Sequence, residues 1–147
     1  LFIRSGWSRA VIARVEGRRP LRYELPIGER LPLHIGAGKV LAADMQAEEV
    51  ERMLDDVGPI VTAAGEHRTR EAVLAEFARI REQGYGVAFS ERVPGMASIA
   101  APVVRPDGSY AGAVQLAALA EDLGEERIGP LSIEIRQAAV AISRRIS

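Results

Sequence analysis

The sequence predicts an α+β domain with a mainly antiparallel sheet flanked by helices, and three observations predict it. Short runs of strand chemistry open the chain and return after residue 84, whereas helical spacing governs the middle and the C-terminal end. The strands are joined by hairpin turns and not by repeated βαβ units, so the sheet is expected to be antiparallel.

The first part of the chain carries three candidate strands: Phe2-Ile3, Ala10 to Val15 and Leu21 to Leu25. In the third, apolar and charged side chains alternate as in a half-buried strand. Glu16-Gly17-Arg18-Arg19-Pro20 supplies the turn before it, with solvated arginines. Small residues at Gly36-Ala37-Gly38 suit a tight strand-to-helix entry, and Lys39 to Ala43 are good helix formers. A second helix is expected from Asp44 as N-cap, through Val50, Met53 and Leu54, to a stop at Gly58-Pro59. A third has Thr69 as N-cap and Val73, Leu74, Phe77 and Ile80 at helical spacing, with Arg70, Glu71, Arg79 and Glu82 on the opposite face. Gly84 ends it in the left-handed conformation that suits glycine.

Gly84 to Gly108 then reads as strand, turn, strand, hairpin turn, folded at Val93-Pro94-Gly95 and closed by Pro106-Asp107-Gly108. The two long strands, Ala97 to Arg105 and Ser109 to Leu119, form the hairpin at the centre of the sheet. Gly129-Pro130 opens the last helix, in which Leu131, Ile135, Ala138, Ile142 and Ile146 make an apolar stripe, and Arg144 and Arg145 suit the dipole at its C-terminal end.

At 147 residues the chain fits one domain with a substantial core, and 48% apolar with 27% charged residues is ordinary for a globular protein. A net charge of −1, with both signs scattered, argues against this segment gripping nucleic acid by itself. No apolar run approaches the roughly 18 residues of a membrane span, so no membrane contact is expected. The absence of cysteine removes disulfides and thiolate metal sites, and the separated His34 and His67 make a poor metal site; neither metal nor cofactor is expected. Cytoplasmic residence is the default expectation. Leu1-Phe2-Ile3 looks like a strand entered in mid-course, which marks the sequence as a fragment of a longer protein, without a signal-peptide pattern.

Gly36-Ala37-Gly38-Lys39 is not a phosphate loop, which needs glycine where Leu33 stands and serine or threonine where Val40 stands. A dinucleotide fingerprint fails at Leu41. Two readings stay open for these small residues: free amides that seat a carboxylate, or a close approach of helix to sheet. Ser90 and Ser98 lack a nucleophile elbow, His34 reads as a hydrogen-bonded strand-end residue, and Glu91 as an exposed turn carboxylate. No catalytic constellation emerges, and the domain is not expected to be an enzyme.

Taken in order, Arg14-Val15-Glu16-Gly17, Gly28-Glu29-Arg30-Leu31-Pro32-Leu33-His34, Gly38-Lys39-Val40-Leu41-Ala42, Gly84-Tyr85, Glu91, Gly95, Ile99-Ala100-Ala101-Pro102-Val103 and Ala141-Ile142-Ser143 resemble the effector-binding domain of IclR-family bacterial transcription regulators. The resemblance covers nearly the entire chain. It implies a GAF-like fold that senses a small metabolite, often an organic or aromatic acid, and a missing N-terminal winged helix-turn-helix through which a dimer or tetramer binds operator DNA. Carried over position by position, it implies an effector pocket at Gly36, Ala37, Ala88, Met96, Ser98, Gln115 and Ala117. Ala88 stands where some members have Asp, Ser98 where some have Cys, and Gln115 and Ala117 where some have two Ser. The segment from His34 to Gly38 is one residue shorter than the common pattern. These departures imply an effector with a larger apolar portion than the smallest keto acids, held by loop amides, Ser98 and Gln115. The rivals are a small enzyme acting on an organic acid and a ligand-free dimerisation module.

Overall fold

Strand register shows how the sheet divides the molecule. The computed structural model describes residues 1–18 and 25–146. A six-stranded sheet runs in the order β3-β2-β1-β8-β7-β6, from β1 (Phe2–Ser5), β2 (Ser8–Val11), β3 (Arg30–Pro32), β6 (Gly86–Phe89), β7 (Met96–Val104) and β8 (Tyr110–Leu119). Every neighbouring pair is antiparallel. The pair β4 (Ile60–Val61) and β5 (His67–Arg68) forms a separate two-stranded ribbon. The helices are α1 (Gly38–Ala42), α2 (Ala47–Val57), α3 (Arg70–Gln83) and α4 (Glu125–Ile146).

Residues directly opposed in an antiparallel pair share a face. Phe2 is opposite both Val11 and Ala113, Gln115 opposite Ala100, and Ala117 opposite Ser98, which in turn faces Ala88. This face packs against the first three helices in a core that contains Phe2, Val11, Leu31, Val40, Met53 and Phe77. The other face carries Ile99, Ala101 and Val103, which pack on Ile135 and Ala139 of α4. The sheet is therefore covered on both sides, and only one of them leaves a cavity beside its core.

The third helix follows its sequence signals closely. The Thr69 hydroxyl accepts the Ala72 N–H at 3.1 Å, and Gly84 ends α3 at a φ of 80°. Replacement Thr69→Ala leaves that N–H without its cap and is expected to cost about 1 kcal/mol in a urea denaturation experiment. In the loop between β6 and β7, Gly95 takes a φ of 74° and the Met96 N–H reaches the Val93 carbonyl, as the expected turn requires.

Several boundaries differ from the sequence expectation. The second strand ends at Val11, and Ala13 to Gly17 have no regular structure. The proposed strand at Leu21 to Leu25 and part of the turn before it lie outside the described residues. Asp44 does not cap α2; Gln46 occupies that position, because the Asp44 carboxylate accepts the backbone N–H of Tyr110 on β8. Helix α4 starts at Glu125, upstream of Pro130. Glu125 and Glu126 suit the positive N-terminal end of the helix, and Gly129 lacks the Cβ that would press on the following proline ring in helical geometry.

Candidate functional site

A cavity of about 1020 Å³ opens on the sheet face shared with the first three helices. Ala88, Ser98, Gln115 and Ala117 contribute to its lining from three neighbouring strands. The alternation of β6, β7 and β8 places all four side chains on one surface. Met96, Gly36 and Glu91 bring the β6–β7 loop and the approach to α1 into the same lining. Ala37 is not part of that lining: it is buried in the hydrophobic core beneath the loop. Gln115 brings an amide whose Oε1 is buried without a hydrogen-bond partner.

Glu91 departs most from the sequence expectation. It is 7% exposed, because the loop after β6 turns its side chain inward under residues 35–38 instead of leaving it in water. One carboxylate oxygen accepts the Gly36 N–H at 3.1 Å, and the other accepts from Lys39 Nζ at 2.6 Å. Lys39 also reaches Glu76 and the Val87 carbonyl, while Arg68 pairs with both Glu76 and Glu91. Two cations and two carboxylates thus interlock α1, α3, β5 and the β6–β7 loop. Buried charges persist only when paired and hydrogen-bonded in this way.

This arrangement decides between the two readings of residues 36–38. The Gly36 amide is held by Glu91, and the Gly38 N–H by the Ile35 carbonyl. A Cβ on Gly38 would lie 2.5 Å from the Leu33 carbonyl oxygen. Close approach explains Gly38, and an internal carboxylate occupies the Gly36 amide that sequence reasoning reserved for a ligand.

Arg9 was not singled out from the sequence. It is 2% exposed and lines the cavity from β2. Its guanidinium donates to the Ile35 carbonyl at 3.1 Å and stacks over the Phe2 ring, 4.8 Å from the centroid. His34 is outside the lining, and burial lowers its pKa from the ordinary imidazole value, favouring the neutral form. Among the described residues no group of three or more His, Cys, Asp or Glu could hold a metal ion, and no helix is long and apolar enough to cross a membrane.

A family model described as "Bacterial transcriptional regulator IclR C-terminal" matches residues 1–144. The chain belongs to the IclR family. Within the family it is 28% identical over 147 residues to the HTH-type transcriptional regulator KipR of Bacillus subtilis, covering 99% of this chain and 59% of KipR. It is 32% identical over 142 residues to the HTH-type transcriptional repressor AllR of Salmonella typhi, covering 96% of this chain and 52% of AllR. Among solved structures, a transcriptional regulator from Rhodococcus sp. RHA1 superposes with a TM-score of 0.89 at 25% identity, covering 99% of this chain and 59% of that one. The chain therefore spans just over half the length of these relatives, and its α+β architecture is the GAF-like fold of IclR C-terminal domains.

Proposed function

We propose that this IclR-type regulatory domain senses a small organic acid and oligomerises, and that it controls DNA binding by a helix-turn-helix domain elsewhere in the whole protein. The cavity carries this reading: six of the seven positions Gly36, Ala37, Ala88, Met96, Ser98, Gln115 and Ala117 line it, Ala37 excepted. The relatives named as HTH-type regulators support the link to DNA. An effector acts by population shift, favouring whichever arrangement of the domain binds it better and so changing the spacing of the DNA-binding domains.

Thermal melts against aliphatic and aromatic acids test the sensing role. An acid present at about a hundred times its Kd is expected to stabilise the native chain by about 2.7 kcal/mol. Ser98→Leu, which fills the cavity floor, is expected to weaken that stabilisation while the unliganded chain still melts cooperatively. A melting temperature indifferent to every acid would favour a ligand-free dimerisation module. Chemical conversion of the acid during incubation would favour an enzyme.

A further inference from the structure

We infer that Arg9 is the residue that recognises the effector's carboxylate, with Gln115 reading a hydroxyl at the other end of the same molecule. This inference rests on the sensing role proposed above and concerns the chemistry of that site.

An incoming acid needs net positive charge or free donors, and the corner beside Gly36 offers neither. Glu91 already accepts the Gly36 N–H, and the adjoining buried cluster contains two cations, Lys39 and Arg68, against two carboxylates, Glu76 and Glu91. A second carboxylate placed there would meet Glu91 at close range, an unfavourable pairing in a poorly solvated site. Arg9 differs in burial from the other cationic side chains of the lining: Arg14, Arg18 and Arg127 are exposed and Arg92 is intermediate. A guanidinium presents several donors in a planar fork that matches a carboxylate, and stacking on Phe2 fixes its plane.

The second end of the ligand follows from the strand register. Ala113 lies opposite Phe2, beneath the Arg9 guanidinium, and Gln115 is two residues further along β8 on the same face. That step is about 7 Å, longer than a pyruvate-sized acid spans. The Gln115 Oε1 is buried without a hydrogen-bond partner, a condition that costs stability unless a donor arrives. A monocarboxylic acid with an intervening chain or ring and a terminal hydroxyl satisfies both ends.

Isothermal calorimetry and thermal melts of this chain with 6-hydroxyhexanoate, 4-(hydroxymethyl)benzoate, hexanoate, pyruvate and the primary amides of the first two test the assignment. The hydroxy acids are expected to bind, and their amides to bind roughly 10- to 100-fold more weakly, as loss of a charge-assisted contact implies. Pyruvate is expected to leave the melting temperature unchanged. Arg9→Gln is expected to erase the preference for acid over amide, and Gln115→Leu the preference for 6-hydroxyhexanoate over hexanoate. The comparison of acid with amide uses the unaltered chain, so it stands even if Arg9→Gln fails to fold. Acids and amides that bind equally, or a folded Arg9→Gln variant with unchanged affinity for the acids, would overturn the assignment while leaving the sensing role intact. If none of these probes and no member of the wider acid panel moves the melting temperature, the sensing role falls and this assignment falls with it.

Discussion

Lys39→Met is expected to destabilise the chain by about 3–5 kcal/mol, the usual consequence of removing one partner from a buried ion network. The Lys39 side chain is 3% exposed and binds both Glu76 and Glu91, whose side chains are only 10% and 6% exposed. Without its ammonium, Arg68 remains the only cation that pairs with the two carboxylates among the described residues. Met matches the length of the lysine stem, so lost packing contributes little and the effect reports the charge. Urea denaturation measures it directly. Glu91→Gln is expected to cost less, because Lys39 keeps Glu76 and the amide oxygen at position 91 still accepts the Gly36 N–H. The triple replacement Lys39→Met, Glu76→Gln, Glu91→Gln is expected to recover most of the loss, since no uncompensated charge of this trio remains buried. If the three single effects simply add in the triple variant, the network is not a coupled unit.

The same network shows where reading the sequence stops. Apolar spacing, caps and turns depend on residues close together in the chain, which is why α3, the β7–β8 hairpin and the Val93-Pro94-Gly95 turn were readable at residue resolution. Glu91 looked like any turn carboxylate because its three partners, Gly36, Lys39 and Arg68, are remote in sequence. Lys39 carried a faint signal: a lone charge directly before Val40-Leu41-Ala42-Ala43, an apolar run that ends up fully buried, requires a partner. Asp44 misled because a carboxylate fit to cap a helix is equally fit to accept the N–H of Tyr110 from across the sheet. The ribbon of β4 and β5 was too short to show any period, although it positions Arg68. Of the cavity, the positions on β6, β7 and β8 followed from alternation, whereas Arg9 stands on the same face as Phe2 and Val11 and would ordinarily be assigned to solvent for its charge.

Gly38→Ala is expected to be among the most damaging single-methyl additions possible in this chain, costing about 3 kcal/mol or more by the overpacking of a site that cannot yield. The added Cβ would fall 2.5 Å from the Leu33 oxygen and 2.7 Å from both its carbonyl carbon and its Cα. These are backbone atoms of a buried residue, so relief requires α1 to move away from the segment that follows β3. That movement would drag Lys39 from Glu76 and Glu91, and Gly36 from the cavity wall, coupling the stability defect to the site. Gly6→Ala provides the contrast. Its φ of 62° imposes the left-handed cost of about 1–2 kcal/mol, but nothing lies within 4 Å of the new methyl group. Denaturation of both variants, followed by acid binding at a temperature where each remains folded, separates the two mechanisms. Gly6→Ala is expected to bind as the unaltered chain does, and Gly38→Ala to bind more weakly even when folded. Equal destabilisation with equal binding in the two variants would mean that α1 can shift without disturbing the cavity, and that the small residue at position 38 serves the chain's conformation and not the placement of the site.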